Sequence, residues 1–386
     1  MDAKLAFHRA FKHYGPPVTD QNLKLVGLDH VVNDLRNINS EIFCGYIDKQ
    51  EFNAIAALHS DIELVGFFAG LTLYLFFYFD TLLSDPNVFP DIGDRSKEKL
   101  DQSRIESFRN PFLSLHSVRA LARPPICEIR AQVARDLVTC AHYFIFAHEV
   151  GHLQMCHLRL LRDDFGVQEY EELPIVVISE KEARIRIGLE ILADQSATFT
   201  SLHWWRIAWN NGPLKNHQGL DADTLWSIAV MSIFIIFEYI RHSKQEGVIR
   251  THPTPFQRLV SLELCMSSKE RAKVSGLEPL KQSAHPTLVS IPIMKWWMHN
   301  DLFSGSRRMF EEGYDQIMRD KVVKEFADSH LSEEYLDKLA VYQKQRGRQS
   351  WNSAKDFRNY PLDDEFYEMF EKLKEQLRLS TLGQKF

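Results

Sequence analysis

The spacing of apolar and polar positions divides the chain into helical stretches with one irregular section. Residues 1 to 60 read as helix with short breaks, and Gly15-Pro16-Pro17 marks a turn. From Leu64 to Phe79 run 16 residues without a charge, bounded by Glu63 and Asp80. This run predicts one buried apolar helix over residues 61 to 83. A second uncharged run, Leu225 to Phe237 between Asp223 and Glu238, predicts another over residues 222 to 242. Both fall short of the roughly 20 residues that span a bilayer, and their flanks are acidic rather than rich in Lys and Arg. Core helices are expected, with no stable membrane insertion.

Residues 84 to 125 are punctuated by Pro86, Pro90, Gly93, Pro111, Pro124 and Pro125, with a short strand expected at Phe112 to Val118. Ile129 to Ala147 lacks Gly and Pro and is rich in Ala, Arg, Leu and Val, which predicts a long helix over residues 126 to 161. A charged loop from Arg162 to Glu172 follows, then a β-branched run, Pro174 to Ser179, that reads as a strand. Residues 181 to 210 form a second long helix, stopped by Asn210-Asn211-Gly212-Pro213. Pro253 and Pro255 open a further helix to about Met266. Past Met294 the charge rises, with amphipathic windows at Glu334 to Gln345 and Asp364 to Leu377 separated by residues 351 to 361. The expected architecture is mainly α, of an α+β kind, with a small β element near the functional site. It divides into an N-terminal helical region (1–120), a core (121–270) and a C-terminal helical region (271–386).

Composition narrows the class. Of the 386 residues, 45% are hydrophobic and 25% charged, the balance of a globular protein with a sizeable core. A net charge of −6, with no basic block interleaved with aromatics, gives no sign of nucleic-acid binding. Five cysteines, none in a CxxC pair, fit reduced thiols in a cytosolic protein better than a disulfide framework. Cys156 reads as a buried free thiol. The first fifteen residues hold no apolar signal-peptide core, which predicts a cytoplasmic location.

The chemistry concentrates in residues 142 to 157, HYFIFAHEVGHLQMCH. Helical positions four apart lie only about 40° apart around the axis, so His148 and His152 share a face. Two imidazoles so placed can hold one zinc ion and leave Glu149 to face a water at the metal. Gly151 costs about 1 kcal/mol inside a helix, which suggests a close approach of backbone or substrate there. A zinc site needs a third protein ligand. Glu190 and Asp194, in GLEILADQSAT, are four apart on one face, and Ala193 and Ala197 keep that helix slim. Glu190 is the candidate ligand, while Asp194 can accept the free N–H of a ligand histidine and fix its tautomer. The bland alternative pairs both carboxylates with Arg184, Arg186 or Lys181. A carboxylate-bridged di-iron bundle needs two Glu-x-x-His pairs, and Glu149-x-x-His152 has no second counterpart in the chain.

HEVGH with His157 five places on, Glu190-Ile-Leu-Ala-Asp194, and His252-Pro253 followed by Arg258 together resemble the gluzincin metallopeptidases of the HtpX and CAAX-prenyl-protease class. The Lit-type phage-exclusion peptidases look similar. The resemblance spans about residues 140 to 260. It implies one zinc per chain held by His148, His152 and Glu190, with Glu149 as general base and His252 and Arg258 serving substrate or transition state. It also implies a zincin-like catalytic core over residues 121–270 and a protein or peptide substrate. The Lit-type likeness implies an intracellular target and a role in defence. His252, stiffened by Pro253 and Pro255, suits an oxyanion donor. Arg258 can reach back to Asp194, or meet a substrate carbonyl; the alternative is a helix-capping His252 and a surface-paired Arg258. The expected function is zinc-dependent hydrolysis of peptide bonds, against the alternative of a catalytically silent zinc-binding scaffold.

Overall fold

The computed structural model describes residues 2–19, 33, 35–36, 41–60, 62–108, 123–167, 169–171, 179–211, 220–244, 252–267, 286–300 and 333–346. In chain order the elements are α1 (Ala3–Phe11), β1 (Ile42–Ile47), β2 (Ala54–His59), β3 (Ile62–Phe68), α2 (Ala69–Leu83), α3 (Gln102–Phe108), α4 (Glu128–Gln154), α5 (His157–Phe165), β4 (Glu169–Glu171), α6 (Glu180–Asn211), α7 (Ala222–Lys244), α8 (Pro255–Ser267), α9 (Pro286–His299) and α10 (Glu333–Gln345). The protein is mainly helical with one small sheet, the expected class. Among the described residues no helix is long and apolar enough to cross a membrane.

The sheet departs from the expectation. Its order is β1-β3-β2-β4, with β1 parallel to β3 and the other pairs antiparallel. Three of its strands lie where residues 1 to 60 and 61 to 83 read as helix. The misreading has a physical cause. Leu64 and Phe68 of β3 pack with Phe7 and Phe11 of α1, while Val65 and Phe67 face the main core on the other side. A strand covered on both faces loses its alternation and reads as a continuous apolar run. Gly66 permits the cover on the α1 side: a Cβ there would sit 2.8 Å from Ile47 Cδ1 and 3.2 Å from Phe11 Cε2. Helix begins only at Ala69.

The strands expected at residues 112–118 and 174–178 lie outside the described residues, as does the helical window from Asp364 to Leu377. The Arg162 to Glu172 stretch is not simply a loop: α5 runs to Phe165, and Glu169–Glu171 pairs with β2.

Helix α4 runs through the middle of the core, with α6, α2 and α7 packed around it. Buried aromatics with polar tips tie the layers together. Trp226 Nε1 donates to Ser201 Oγ at 2.9 Å, Trp205 Nε1 to the Ala222 carbonyl at 2.9 Å, and Trp297 Nε1 to Tyr78 OH at 3.1 Å. Helix α2 holds α4 through His142, whose ring also lies against Tyr46 of β1 and Phe67 of β3. Its Nδ1 donates to the Val138 carbonyl at 2.7 Å, and its Nε2 lies 2.8 Å from Thr72 Oγ1 of α2. Helix α10 lies across α5: Tyr342 OH donates to Asp163 at 2.8 Å, Lys338 pairs with Asp164 at 2.9 Å, and Arg346 pairs with Glu63 of β3.

The irregular chain after α2 is organised by one side chain. Arg130, fully buried, donates to five carbonyls: Leu83, Asp85, Val88, Phe89 and Ile92, at 2.6 to 3.1 Å. All five guanidinium N–H groups are thereby used, which a lysine with three donors cannot match. The chain just before α4 is held in turn by Glu98, which accepts from the Cys127 and Ile126 amides at 2.7 and 3.1 Å. Arg130→Lys and Arg130→Met should each destabilise the fold by at least about 3 kcal/mol, because buried carbonyls lose a charged donor. Thermal or urea melts measure this. Wild-type melting in Arg130→Met would refute the organising role.

Candidate metal centre

Helix α4 continues unbroken through residues 142–154, so His148 and His152 stand one turn apart on the face turned to α6. Gly151 lies where the two helices meet. A Cβ on it would be 3.3 Å from Ala193 Cα, 3.4 Å from Ala193 O and 3.5 Å from Ser196 Cβ. Its cost in helix propensity is thus offset by a backbone-to-backbone approach. That approach brings Glu190 and Asp194, one turn apart on α6, to the two histidines.

The donor spacing fits a cation. His148 Nε2 and His152 Nε2 are 3.0 Å apart; Glu190 Oε2 lies 3.3 Å from the first and Oε1 3.5 Å from the second. Donors about 2.0–2.1 Å from a tetrahedral ion stand roughly 3.3 Å from one another. These three residues form a buried group that can hold a metal ion. His148 Nδ1 lies 2.9 Å from Asp194 Oδ1 and His152 Nδ1 lies 3.0 Å from His157 Nδ1. If both Nδ1 atoms carry the proton, both Nε2 lone pairs face each other, an arrangement that favours a cation between them. Burial drives His152 well below the ordinary imidazole pKa, with His148, His157, His252 and Arg258 adding to the effect, so the ring is neutral and able to ligate.

The third sequence block arrives on α8. Its start is a capping box: the Thr254 amide donates to Gln257 Oε1 at 2.7 Å and the Gln257 amide to Thr254 Oγ1 at 3.1 Å, with Pro255 at the first helical position. Arg258 is buried, not paired at the surface. It donates to Glu190 Oε2 at 3.0 Å and Asp194 Oδ1 at 3.3 Å, with Cζ 5.1 Å from the ring centre of Phe234 on α7. His252 Nε2 approaches Glu190 Oε1 at 3.5 Å. Burial raises the pKa of Asp194, while Arg258 and His148 oppose that rise. The surface alternative for Glu190 and Asp194 does not hold: Arg186 pairs with Glu182 at 2.9 Å and Lys181 lies over Tyr335. Glu149 is buried one residue along from His148. His148, His152, Glu190, Asp194, His252 and Arg258 thus each meet at least one other of this group within 3.5 Å.

The long helix expected over residues 126 to 161 is in fact broken. Cys156 adopts φ 63°, ψ 27°, and α5 starts anew at His157. Sequence reasoning noted His157 but found no role for it. On an unbroken helix a residue five places on lies about 140° around the axis and faces away. The break is what turns the His157 ring back to His152.

Residues 118–277 match the family model described as Peptidase U49. The matched stretch contains α4, α6 and α8 with all the residues above, and it supports a peptidase family for this part of the chain. No curated protein and no solved structure matches the chain.

Proposed function

We propose that the chain is a zinc-dependent endopeptidase of gluzincin type that cleaves an intracellular protein. The carrying observation is the pair of buried imidazole Nε2 atoms 3.0 Å apart with Glu190 closing the triangle. Two imidazoles and one carboxylate suit zinc, and three protein ligands leave one position for water. Zinc held by His148, His152 and Glu190 would supply Lewis-acid chemistry for a carbonyl and a water of lowered pKa, toward 7. Glu149 takes the proton of the attacking water and delivers it to the leaving amine. His252 donates to the oxyanion as charge builds on the scissile carbonyl. Arg258 balances and orients Glu190. The Peptidase U49 match supports a protein substrate, and the Lit-type resemblance supports a cytoplasmic target and a part in phage exclusion. The burial of every residue in the cluster favours one rival, a zinc-holding scaffold without catalysis.

The purified protein should carry about one zinc per chain, and His148→Ala and His152→Ala should each lose most of it. Glu190→Ala should weaken binding more than Asp194→Ala, whose indirect role predicts a loss of about 10- to 100-fold. Metal analysis finding full zinc in the histidine variants would remove the site assignment.

Glu149→Gln should keep zinc and fold while losing several orders of magnitude in rate, because only the proton acceptor changes. Proteomes of cells expressing wild type and Glu149→Gln, compared for new protein termini, identify the target. Identical termini in both would leave the scaffold reading standing.

His252→Ala should retain zinc and stability yet lose roughly 10²- to 10³-fold in kcat, the scale of one oxyanion donor. Unchanged kcat/KM on the identified substrate would return His252 to a structural role.

A further inference from the structure

The contact between His152 and His157 lies outside the residues that the peptidase reading needs. Both rings are buried, and their Nδ1 atoms are 3.0 Å apart. With no cation between them, two neutral imidazole nitrogens at that distance must be one donor and one acceptor. His152 Nε2 points to the ligand triangle, so its lone pair is there and its proton is on Nδ1. His157 Nδ1 is then the acceptor, and the proton of His157 is on Nε2. The geometry points to His157 as the positioning residue for His152: it takes the Nδ1–H bond, fixes the tautomer that leaves Nε2 open to metal, and sets the plane of the ring. The inference rests on the proposed metal site.

Three further observations support it. The two ligand histidines are treated in parallel, His148 by the Asp194 carboxylate at 2.9 Å and His152 by a second imidazole. The usual partners for that role are carboxylate, carbonyl or water. An imidazole acceptor adds no negative charge to a centre that already holds two carboxylates. Next, His157 Nε2 is buried without a hydrogen-bond partner. Such a group costs about 1–3 kcal/mol, a cost that an apolar side chain would avoid. Its retention is explained by work at the other nitrogen. Finally, the backbone turns left-handed at Cys156, a non-glycine residue, and this turn delivers the ring.

The test compares His157→Asn, whose side-chain oxygen can stand near the Nδ1 position, with His157→Leu, which fills space without an acceptor. Zinc affinity is measured by chelator competition, and metal-free stability by thermal melting. His157→Leu should lose about 10- to 100-fold in zinc affinity, and His157→Asn should recover most of it at a similar metal-free melting temperature. Equal affinity in wild type and His157→Leu, or an equal loss in both variants, overturns the inference while leaving the metal site intact. In the unaltered protein loaded with zinc, ¹⁵N spectra of the histidine rings should show the proton of His157 on Nε2 and that of His152 on Nδ1. The opposite tautomer of His157 overturns the inference without any variant. A wild type that binds no zinc overturns the metal site as well.

Discussion

The approach of α4 to α6 at Gly151 and Ala193 sets the other distances in the candidate centre. Two helices carrying ordinary side chains at the contact pack with axes about 8–10 Å apart. Here a glycine meets the Cα and carbonyl of an alanine at 3.3–3.4 Å from the Cβ it lacks. Only at such a separation can the short side chain of Asp194 meet His148 while Glu190 reaches both histidines. A methyl group on residue 151 would crowd the Ala193 backbone, where a shift of a few tenths of an ångström already bears on the donors.

Bringing two carboxylates and four imidazoles out of water is costly unless the charges are balanced. Arg258 supplies the balance, touching both carboxylates from α8 and resting on Phe234. The capping box at Thr254 and Gln257 fixes where α8 begins, and so where Arg258 and His252 stand. The guanidinium leaves Glu190 Oε1 directed to His152 and His252, without a hydrogen-bond partner of its own. A metal ion would answer that open acceptor.

The rest of the fold keeps α4 from moving. Arg130 and Glu98 pin its first turns, the Thr72–His142 contact and the sheet hold its middle, and α10 clasps α5 just past its end. A site whose ligands must stay within a few tenths of an ångström needs neighbours that are themselves fully bonded. The buried aromatic indoles and the arginine with five acceptors meet that need.

What the sequence determined by itself is a set of candidate site residues and the helices that carry them. HEVGH and Glu190 with Asp194 could be read because their spacing matches the helical period, and periodicity is local; His252 and Arg258 were legible only through the family resemblance. The small residues Gly151 and Ala193 likewise foretold a close approach. The sheet could not be read: β3 is covered on both faces, so its pattern is that of a buried helix, and the cover comes from α1, some 50 residues earlier. The role of His157 was equally hidden. It depends on a single left-handed residue at Cys156, which no local preference demands and which only the packing of α5 against β2 and α10 decides. Local spacing chose the ligands; the contacts of distant segments decided which groups stand behind them.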